Sequence, residues 1–217
     1  MRAESDFDAM RAYMIDCQLR PNSVTNDDVV AAFRAVPREL FVPAAKRSFA
    51  YSDEEIDLGN GRVLVEPLVT GRLIAEARVK EGDRVLIIGG TTGYSSAICL
   101  ELGATVVLHE TETMAAEAAK VMETLPGMTI TSGDLADFDP DGGPFDLILI
   151  EGAISALPEN LVSHVAEGGR IAAIVVDNGT PRAGIGRVYG GHVGWTWYME
   201  AFVPMLPGFA AKPEFVF

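Results

Sequence analysis

The chain of 217 residues is long enough for one domain, and its 31 acidic and 17 basic side chains give a formal charge of −14. So negative a chain repels nucleic acid, which excludes a binder that works by neutralising phosphates. With 48% hydrophobic and 22% charged residues, the composition is that of a folded globular protein. No apolar run approaches the roughly 18 residues of a membrane span, and the acidic start of the chain predicts no signal peptide.

We therefore expect a cytoplasmic protein with neither a membrane nor a nucleic-acid partner. The two cysteines, Cys17 and Cys99, are far apart in sequence and have no metal-binding spacing. Reduced thiols are the expectation, as is usual for cytosolic proteins. The three histidines are equally scattered, so no metal site is predicted.

The charge is distributed unevenly along the chain. Residues 1–80 carry a net charge of −2 and residues 81–217 a net charge of −12. Either the first region offers a partner surface, or the acids collect in solvated loops such as 134–141. Because no low-complexity linker separates the two regions, we expect one compact domain. Residues 1–80 would form a helical cap with a substrate-loop segment, and residues 81–217 the cofactor-binding core.

Residues 1–80 show helical periodicity. Apolar side chains recur at three- and four-residue steps from Phe7 onward, which predicts an amphipathic helix that ends at Arg20-Pro21. Thr25, followed by two aspartates, is the expected N-cap of a second helix that ends at Pro37. A loop to Gly61 and a third helix over 67–76 complete the predicted cap.

From residue 81 the pattern alternates between apolar strands and helices. Strands are predicted at 84–88, 105–110, 128–131, 145–150 and 170–176, and helices at 94–102, 112–125 and 158–165. This order is typical of a doubly wound, mostly parallel sheet. A hairpin of 186–189 and 195–203 around Gly190-Gly191 adds an antiparallel edge. The fold class predicted is thus α/β and Rossmann-like, in the methyltransferase variant and not the dehydrogenase variant.

A glycine-rich turn, Gly89-Gly-Thr-Thr-Gly93, joins the first strand of this series to its helix. Ligands bind at the carboxyl ends of parallel strands, where glycines allow the backbone to approach them closely. Glu110 ends the next strand, at the position from which a carboxylate accepts the hydroxyls of a ribose. Gly89, Gly90 and Gly93 with Glu110 therefore predict a nucleoside site, although an exposed glutamate at a strand end is the alternative.

Two further residues have open interpretations. Asp134 follows the third strand, where its side chain would reach an adenine edge or simply stabilise the turn at Gly133. Tyr94 opens the helix after the glycine turn and would contact the cofactor or belong to the core. The pattern G-x-G-x-x-G is missing, which argues against a dinucleotide.

Several segments in order resemble one family, the protein-L-isoaspartate O-methyltransferases, in a divergent bacterial branch. They are Val36-Pro-Arg-Glu-Leu-Phe-Val-Pro43, Ala50-Tyr-Ser-Asp53, Gly59-Asn-Gly61 with Pro67, Gly89 through Tyr94, Pro144-Phe-Asp-Leu-Ile148 and Gly168-Gly-Arg170, with Gln18-Leu-Arg-Pro21 and Leu206-Pro-Gly-Phe209 typical of the branch. The resemblance implies a methyltransferase fold, an S-adenosylmethionine site and methyl transfer to the carboxylate of damaged aspartyl residues in a protein or peptide. In that site Gly89, Gly90, Thr91, Gly93 and Tyr94 would form the cofactor loop, Glu110 would hold the ribose and Asp134 the adenine.

The cofactor loop departs from the family pattern at two positions. Ile87 replaces an acid that helps to hold the cofactor's ammonium group, which removes a charge-assisted contact of roughly 1.5–3 kcal/mol. Thr91 replaces the middle glycine, and its β-carbon disfavours a positive φ. Weakened cofactor binding is the expectation.

The family's substrate positions, where the catalytic contacts would lie, depart as well. Val65 replaces a serine or threonine whose hydroxyl faces the carboxylate to be methylated, and Glu66 follows it. Glu151 replaces a threonine after the fourth strand. Two acids in one pocket repel an anionic acceptor, unless Arg62 offsets them.

Three hypotheses follow. The leading one is an S-adenosylmethionine-dependent methyltransferase of the isoaspartyl type. The second keeps the enzyme and changes the acceptor to a neutral or cationic molecule, including a small molecule. The third is a non-catalytic binding protein with a methyltransferase fold.

Overall fold

The structure is a computed structural model that describes residues 2–137 and 142–211. The α-helices are α1 (Arg2–Met14), α2 (Asp27–Ala35), α3 (Pro67–Ala77), α4 (Tyr94–Glu101), α5 (Glu112–Met122) and α6 (Glu159–Ser163). The strands are β1 (Ile56–Gly59), β2 (Arg62–Leu64), β3 (Arg84–Ile88), β4 (Thr105–Glu110), β5 (Thr129–Ser132), β6 (Phe145–Ile154), β7 (Val165–Asp177), β8 (Thr180–Tyr189) and β9 (His192–Glu200). The end of the predicted acidic loop, 138–141, lies outside the described residues.

Seven strands form one mixed sheet in the order β5-β4-β3-β6-β7-β8-β9. The five strands β3 to β7 pair in parallel, while β8 is antiparallel to both β7 and β9. This arrangement confirms the predicted α/β, Rossmann-like fold with an antiparallel C-terminal hairpin. Strands β3 and β4 have the predicted bounds, and the apolar run of β3 is typical of a buried parallel strand.

Other predicted bounds need correction. Helix α5 ends at Met122 instead of 125, and α6 covers only Glu159–Ser163. Strand β7 begins at Val165 and not at residue 170, so Gly168 and Gly169 lie within it. Strand β8 begins at Thr180 instead of 186, and β9 covers His192–Glu200 instead of 195–203.

The N-terminal segment confirms three helices and adds a small hairpin. Helix α1 continues through a π-helical turn into a 3-10 turn, Arg20–Asn22, at the predicted end. The N-cap of α2 is Asn26 and not Thr25, because the Asn26 side chain accepts the N–H of Val29 at 3.0 Å. The segment predicted as a loop to Gly61 contains β1, which pairs with β2 in an antiparallel hairpin.

Both faces of the sheet are buried, by different parts of the chain. Val85 and Ile87 face a cluster that includes the cap residues Met14 and Phe33. Leu86 and Ile88 face a second cluster with α6 and the C-terminal segment. Residues 1–80 therefore contribute to the core of the sheet domain.

The segment after β9 returns to the carboxyl end of β6. The N–H of Ala153 donates to the carbonyl of Pro204 at 3.0 Å, and the N–H of Leu206 donates to the carbonyl of Ala153 at 2.9 Å. Further along, the N–H of Ser155 donates to the carbonyl of Phe209 at 3.0 Å. Together with the pairing of Ala153 and Ile154 with β7, these bonds explain why β6 continues beyond the predicted end at residue 150.

Both cysteines are free thiols, and Cys17 is exposed while Cys99 is buried. Within the described ranges, no helix has the length and apolar character needed to cross a bilayer. The same ranges contain no group of three histidine, cysteine or acidic side chains placed to bind a metal ion.

Candidate functional site

The glycine turn between β3 and α4 keeps its left-handed positions in spite of the threonine. Gly89 and Gly93 have φ values of 75° and 92°, and Thr91 has a φ of 52°. Thr91 thus adopts a positive φ although its β-carbon disfavours one. Such a conformation costs about 1–3 kcal/mol in a residue other than glycine, and it persists where the surroundings fix it. Here the N–H of Thr91 donates to Oε2 of Glu110 at 2.9 Å.

Ile87 fills the space below this turn. A β-carbon at Gly90 would lie 2.7 Å from Cγ2 of Ile87 and 3.3 Å from Oε2 of Glu151. The apolar side chain that replaces the family's acid therefore packs directly under the turn, and Gly90 is required by this close approach.

Glu110 lies at the carboxyl end of β4, and its side chain is completely buried. Three donors surround the carboxylate. Oε2 accepts hydrogen bonds from Nη2 of Arg62 at 2.6 Å and from the Thr91 N–H, and Oε1 accepts from the Thr111 N–H at 2.7 Å. The alternative of an exposed glutamate is thus wrong, because Glu110 is a buried acceptor beside the glycine turn.

Arg62 reaches this point from β2 of the small hairpin. Its Nη2 also donates to the carbonyl of Gly89 at 2.8 Å, and its side chain is only 7% exposed. The sequence left open whether Arg62 offsets Glu66 and Glu151. Arg62 forms a buried ion pair with Glu110, the carboxylate predicted to hold the ribose, and it is also a charged neighbour of Glu151.

Asp134 has the turn role that the sequence left open. Its Oδ1 accepts the N–H groups of Ala136 at 2.9 Å and Asp137 at 3.1 Å. His109 holds the same loop, because its Nε2 lies 3.0 Å from the Asp134 carbonyl oxygen. The side chain is exposed, and an adenine contact stays a prediction.

Glu151 is buried beneath the glycine turn. Thr70 Oγ1 donates to its Oε1 at 3.2 Å, and Ser95 Oγ donates to its Oε2 at 2.6 Å. Burial raises the pKa of the Glu151 carboxyl, while these two hydroxyls act in the opposite direction. Its charged neighbours are Arg38 and Arg62.

Glu66 has different surroundings from Glu151. It is the N-cap residue of α3 and is half-buried, and burial together with Asp53 and Glu55 raises its pKa. The charged neighbours of the two acids therefore differ, and a joint acidic pocket stays a prediction. Val65, the third substrate position, is 4% exposed.

Sequence reasoning missed Arg38 as a residue of this region. Its completely buried guanidinium donates from Nε to the carbonyl of Ala50 and from Nη2 to the carbonyl of Val65, both at 2.7 Å. It thereby connects the loop before α3 to the segment that contains Ala50. The available signal was an arginine within the apolar run of residues 36–43.

Tyr94 belongs to the core. Its ring packs edge-on against Phe33 and Phe41, with centroids 6.0 and 5.3 Å away, and Arg38 lies over its face at 4.7 Å. Burial raises the pKa of its hydroxyl to about 12. Of the two interpretations of Tyr94, core packing is the one described by these contacts.

A cavity of about 500 Å³ lies beside this site, between the cap and α5. Phe41, Leu58 and Thr92 line one side of it, and Met114 and Lys120 line the other. None of the predicted cofactor residues lines this cavity.

The fold, together with the buried acceptor at the glycine turn, places the protein in the class of Rossmann-like methyltransferases. A statistical model of the family described as protein-L-isoaspartate(D-aspartate) O-methyltransferase matches residues 10–184. The chain belongs to this family. The protein-L-isoaspartate O-methyltransferase of Methylorubrum populi is 34% identical over 166 residues, which are 76% of this chain and 78% of that protein. The enzyme of the same name from Roseiflexus castenholzii is 36% identical over 169 residues, which are 76% of this chain and 77% of that protein.

Solved structures share the fold at low sequence identity. A protein-L-isoaspartate O-methyltransferase superposes with a TM-score of 0.81 at 23% identity, covering 91% of this chain and 66% of the other. A putative family member from Plasmodium falciparum in complex with S-adenosyl-L-homocysteine gives a TM-score of 0.77 at 16% identity, covering 92% and 97%. These similarities show a shared fold.

Proposed function

We propose that the protein is an S-adenosylmethionine-dependent methyltransferase that acts on a protein substrate, at the carboxylate of isoaspartyl residues. The observation that carries the proposal is the Glu110 carboxylate, buried at the end of β4 beside the glycine turn. Membership of the isoaspartyl family supports it, because relatives matched over about three quarters of this chain carry that activity in their names. The free thiols Cys17 and Cys99 favour the cytoplasm as its location.

The acceptors of this site fit the polar groups of the cofactor. S-adenosylmethionine presents hydroxyl donors on its ribose and an ammonium donor on its amino acid. Oε2 of Glu110 and the carbonyl of Gly89 already receive the N–H donors of a cationic side chain, Arg62, at 2.6 and 2.8 Å. A guanidinium thus stands in for donors of the same kind at the same acceptors.

Each of these residues would have a separate role in binding the cofactor. Glu110 would accept the ribose hydroxyls, the Gly89–Gly93 turn would allow close approach, and Asp134 would lie near the base. The bound cofactor supplies a methyl group made electrophilic by its sulfonium. The protein needs only to align the acceptor oxygen with that carbon, because methyl transfer to a carboxylate requires little acid–base help.

Arg38 holds the loop before α3, which contains the substrate position Val65. The family's serine or threonine hydroxyl is missing from this loop. Arg38 fixes the Val65 carbonyl at 2.7 Å, so the loop keeps its place although Val65 offers no hydroxyl. Burial raises the pKa of Glu151 and so reduces the repulsion of an anionic acceptor. The remaining negative potential comes from Glu66 with Asp53 and Glu55.

We infer that the preferred peptides carry lysine or arginine beside the isoaspartyl residue, because these cations complement the acidic group of Glu66. The test is transfer of a labelled methyl group from S-adenosylmethionine to isoaspartyl peptides flanked by lysine or by glutamate. A base-labile methyl ester should form, faster on the lysine-flanked peptide. The Glu66→Gln variant should reduce this preference, and the matched peptides with ordinary aspartate should stay unlabelled. Cofactor binding without any methylation of either isoaspartyl peptide would refute the proposed activity.

A second candidate function is a non-catalytic protein that keeps the fold. The ion pair of Arg62 with Glu110 favours it, since the ribose acceptor is already saturated by the chain itself. Calorimetry with S-adenosyl-L-homocysteine separates the two candidates. No heat of binding at millimolar ligand, for the wild type and for variants that free Glu110, would support the non-catalytic protein.

A further inference from the structure

Two side chains of this protein occupy the place predicted for its cofactor. The first is Arg62, whose Nη2 donates to both Glu110 Oε2 and the carbonyl of Gly89. Arg62 is 6% exposed, and its buried Nε has no hydrogen-bond partner in the part of the chain that the structure describes. The guanidinium is thus held by the two acceptors at the glycine turn.

The second is Leu206, in the segment that returns after β9. A β-carbon at Gly89 would lie 2.7 Å from Cδ2 of Leu206, and one at Gly152 would lie 2.5 Å from its Cγ. Leu206 therefore rests on the backbone of both glycines, at the carboxyl ends of β3 and β6. Its side chain is 1% exposed, so this contact excludes water.

The same segment extends over the loop that contains Asp134. A β-carbon at Gly208 would lie 2.9 Å from the β-carbon of Ala136 and 3.3 Å from Oδ1 of Asp134. Phe209 is 4% exposed and belongs to the apolar cluster that contains Leu135 and Leu206. The C-terminal segment 204–209 thus reaches from the glycine turn to the residue predicted to lie near the adenine.

We propose that Arg62 and Leu206 are an internal occupant of the cofactor site and compete with S-adenosylmethionine for it. The inference rests on the proposed function, because it concerns the same site. Glu110 Oε2 and the Gly89 carbonyl accept from Arg62 or from the cofactor's hydroxyl and ammonium donors, and Leu206 fills the apolar space beside them. Binding therefore requires the β1–β2 hairpin to withdraw Arg62 and the C-terminal segment to release the turn.

This competition lowers the affinity for the cofactor in a defined way. The apparent dissociation constant is the intrinsic one divided by the fraction of molecules in which the site is free. A charge-assisted pair that is almost fully buried keeps that fraction small, because the pair is screened neither by water nor by salt. Removal of the occupant should then strengthen binding, whereas removal of an ordinary ligand-binding arginine would weaken it.

The experiment compares the dissociation constants of S-adenosyl-L-homocysteine, by calorimetry, for wild type, Arg62→Met, Leu206→Ala and the double variant. We expect Arg62→Met to bind about 10- to 100-fold more tightly than wild type, from the strength of a charge-assisted hydrogen bond. The double variant should bind more tightly than either single one. Arg187→Met, an exposed arginine of β8, and Leu161→Ala, a buried leucine of the same apolar cluster, are the matched controls and should not change the affinity.

Arg62→Lys is a second variant, which keeps the inference testable if Arg62→Met fails to fold. It keeps the charge beside Glu110 but has no planar fork, so it should give an intermediate affinity. Wild-type binding as tight as that of the variants, or weaker binding by Arg62→Met and Arg62→Lys, would overturn the internal occupant. A crystal structure with bound S-adenosyl-L-homocysteine in which Arg62 still contacts Glu110 would overturn it as well.

The outcomes separate this inference from the proposed function. Tight binding by the wild type and methylation of isoaspartyl peptides would support the function and reject the occupant. Tight binding by the double variant alone, with no methylation, would support the occupant and reject the function. Absence of binding by every variant would reject both.

Discussion

Glu151 combines deep burial with an ionisable group, and its protonation is linked to stability. Burial raises the pKa of its carboxyl in the folded protein above that in the unfolded chain. The folded state therefore binds this proton more tightly, and the stabilisation is complete below the unfolded pKa of about 4.3. It is lost as the pH rises through the higher folded pKa. Above that folded pKa, the ionised Glu151 carboxylate should thus destabilise the protein.

We predict that Glu151→Gln becomes more stable relative to wild type as the pH rises. Glutamine stays neutral and keeps an acceptor for Ser95 or Thr70. The gain should appear between pH 5 and pH 8, because each unit by which the folded pKa exceeds the unfolded pKa corresponds to about 1.4 kcal/mol of free energy. Urea unfolding at the two pH values measures it, with exposed Glu112→Gln as the control. An equal difference between Glu151→Gln and wild type at both pH values would contradict this linkage.

At the scale of single residues, the sequence indicates which residues lie at the site better than which residues they contact. The carboxyl end of β4 marked Glu110 as an acceptor, because strand ends in parallel sheets lie at one edge. The donor that saturates it, Arg62, lies 48 residues earlier in a three-residue strand with no periodic signal. The role of Arg38 could not be predicted for a related reason. Its acceptors are the main-chain carbonyls of Ala50 and Val65, and every residue type has such a carbonyl.

At the scale of elements, the antiparallel edge depends on two glycines that accommodate tryptophans. Trp195 and Trp197 of β9 stack with centroids 4.9 Å apart and rings nearly parallel, at 4°. Gly184 and Gly186 lie opposite them on β8. A β-carbon at Gly184 would lie 2.4 Å from Cε3 of Trp197. The stacked pair thus lies directly on the backbone of β8, an arrangement known to stabilise glycines in sheets.

We predict that Gly184→Ala destabilises the protein by about 1–3 kcal/mol, because the added carbon must displace an indole ring. Urea unfolding followed by tryptophan fluorescence measures the loss, and both tryptophans of the chain report on this hairpin. Gly194→Ala, in the same hairpin, is the matched control. A β-carbon at Gly194 has no described atom within 4 Å, so this variant should lose little stability. Equal losses for both variants would argue against the packing of Trp197 as the cause.

The elements of the sheet were predictable where local pattern and burial agree. A continuous apolar run placed β3 to the residue, and β4, with its shorter apolar run Val106–Leu108, also has its predicted bounds. Strand β6 exceeds its predicted length because its end, Ala153 and Ile154, pairs with β7 and Ala153 also hydrogen-bonds to the segment after β9, contacts that only the folded chain brings together. The hairpin of β1 and β2 escaped prediction because its strands have four and three residues, too short for a period to be recognised.

At the scale of the whole molecule, the division into a cap, 1–80, and a core, 81–217, stays a prediction about chain segments. The apolar contacts cross that boundary. Phe33 packs on Tyr94, and Thr92 Oγ1 donates to the Phe41 carbonyl at 2.7 Å. Buried Arg170 donates to the Ala77 carbonyl, to the Arg78 carbonyl at 3.1 Å, and to Asp83. Separation of the two segments would expose Phe33 and Tyr94 and leave buried polar groups unpaired.

We therefore predict that the protein unfolds in one cooperative transition. The tryptophans lie only in β9, so their fluorescence reports on the far edge of the sheet. Far-UV circular dichroism weights the helices, of which α1, α2 and α3 belong to the cap. The midpoints of the two urea transitions should coincide, because opening the cap removes one wall of the sheet's core and the cost is shared by both regions. Truncation to residues 81–217 should abolish the near-UV signal of fixed aromatic packing. A helical transition that precedes the fluorescence change would show that the cap opens alone, and the hairpin carrying Arg62 would then be free to leave Glu110 without global unfolding.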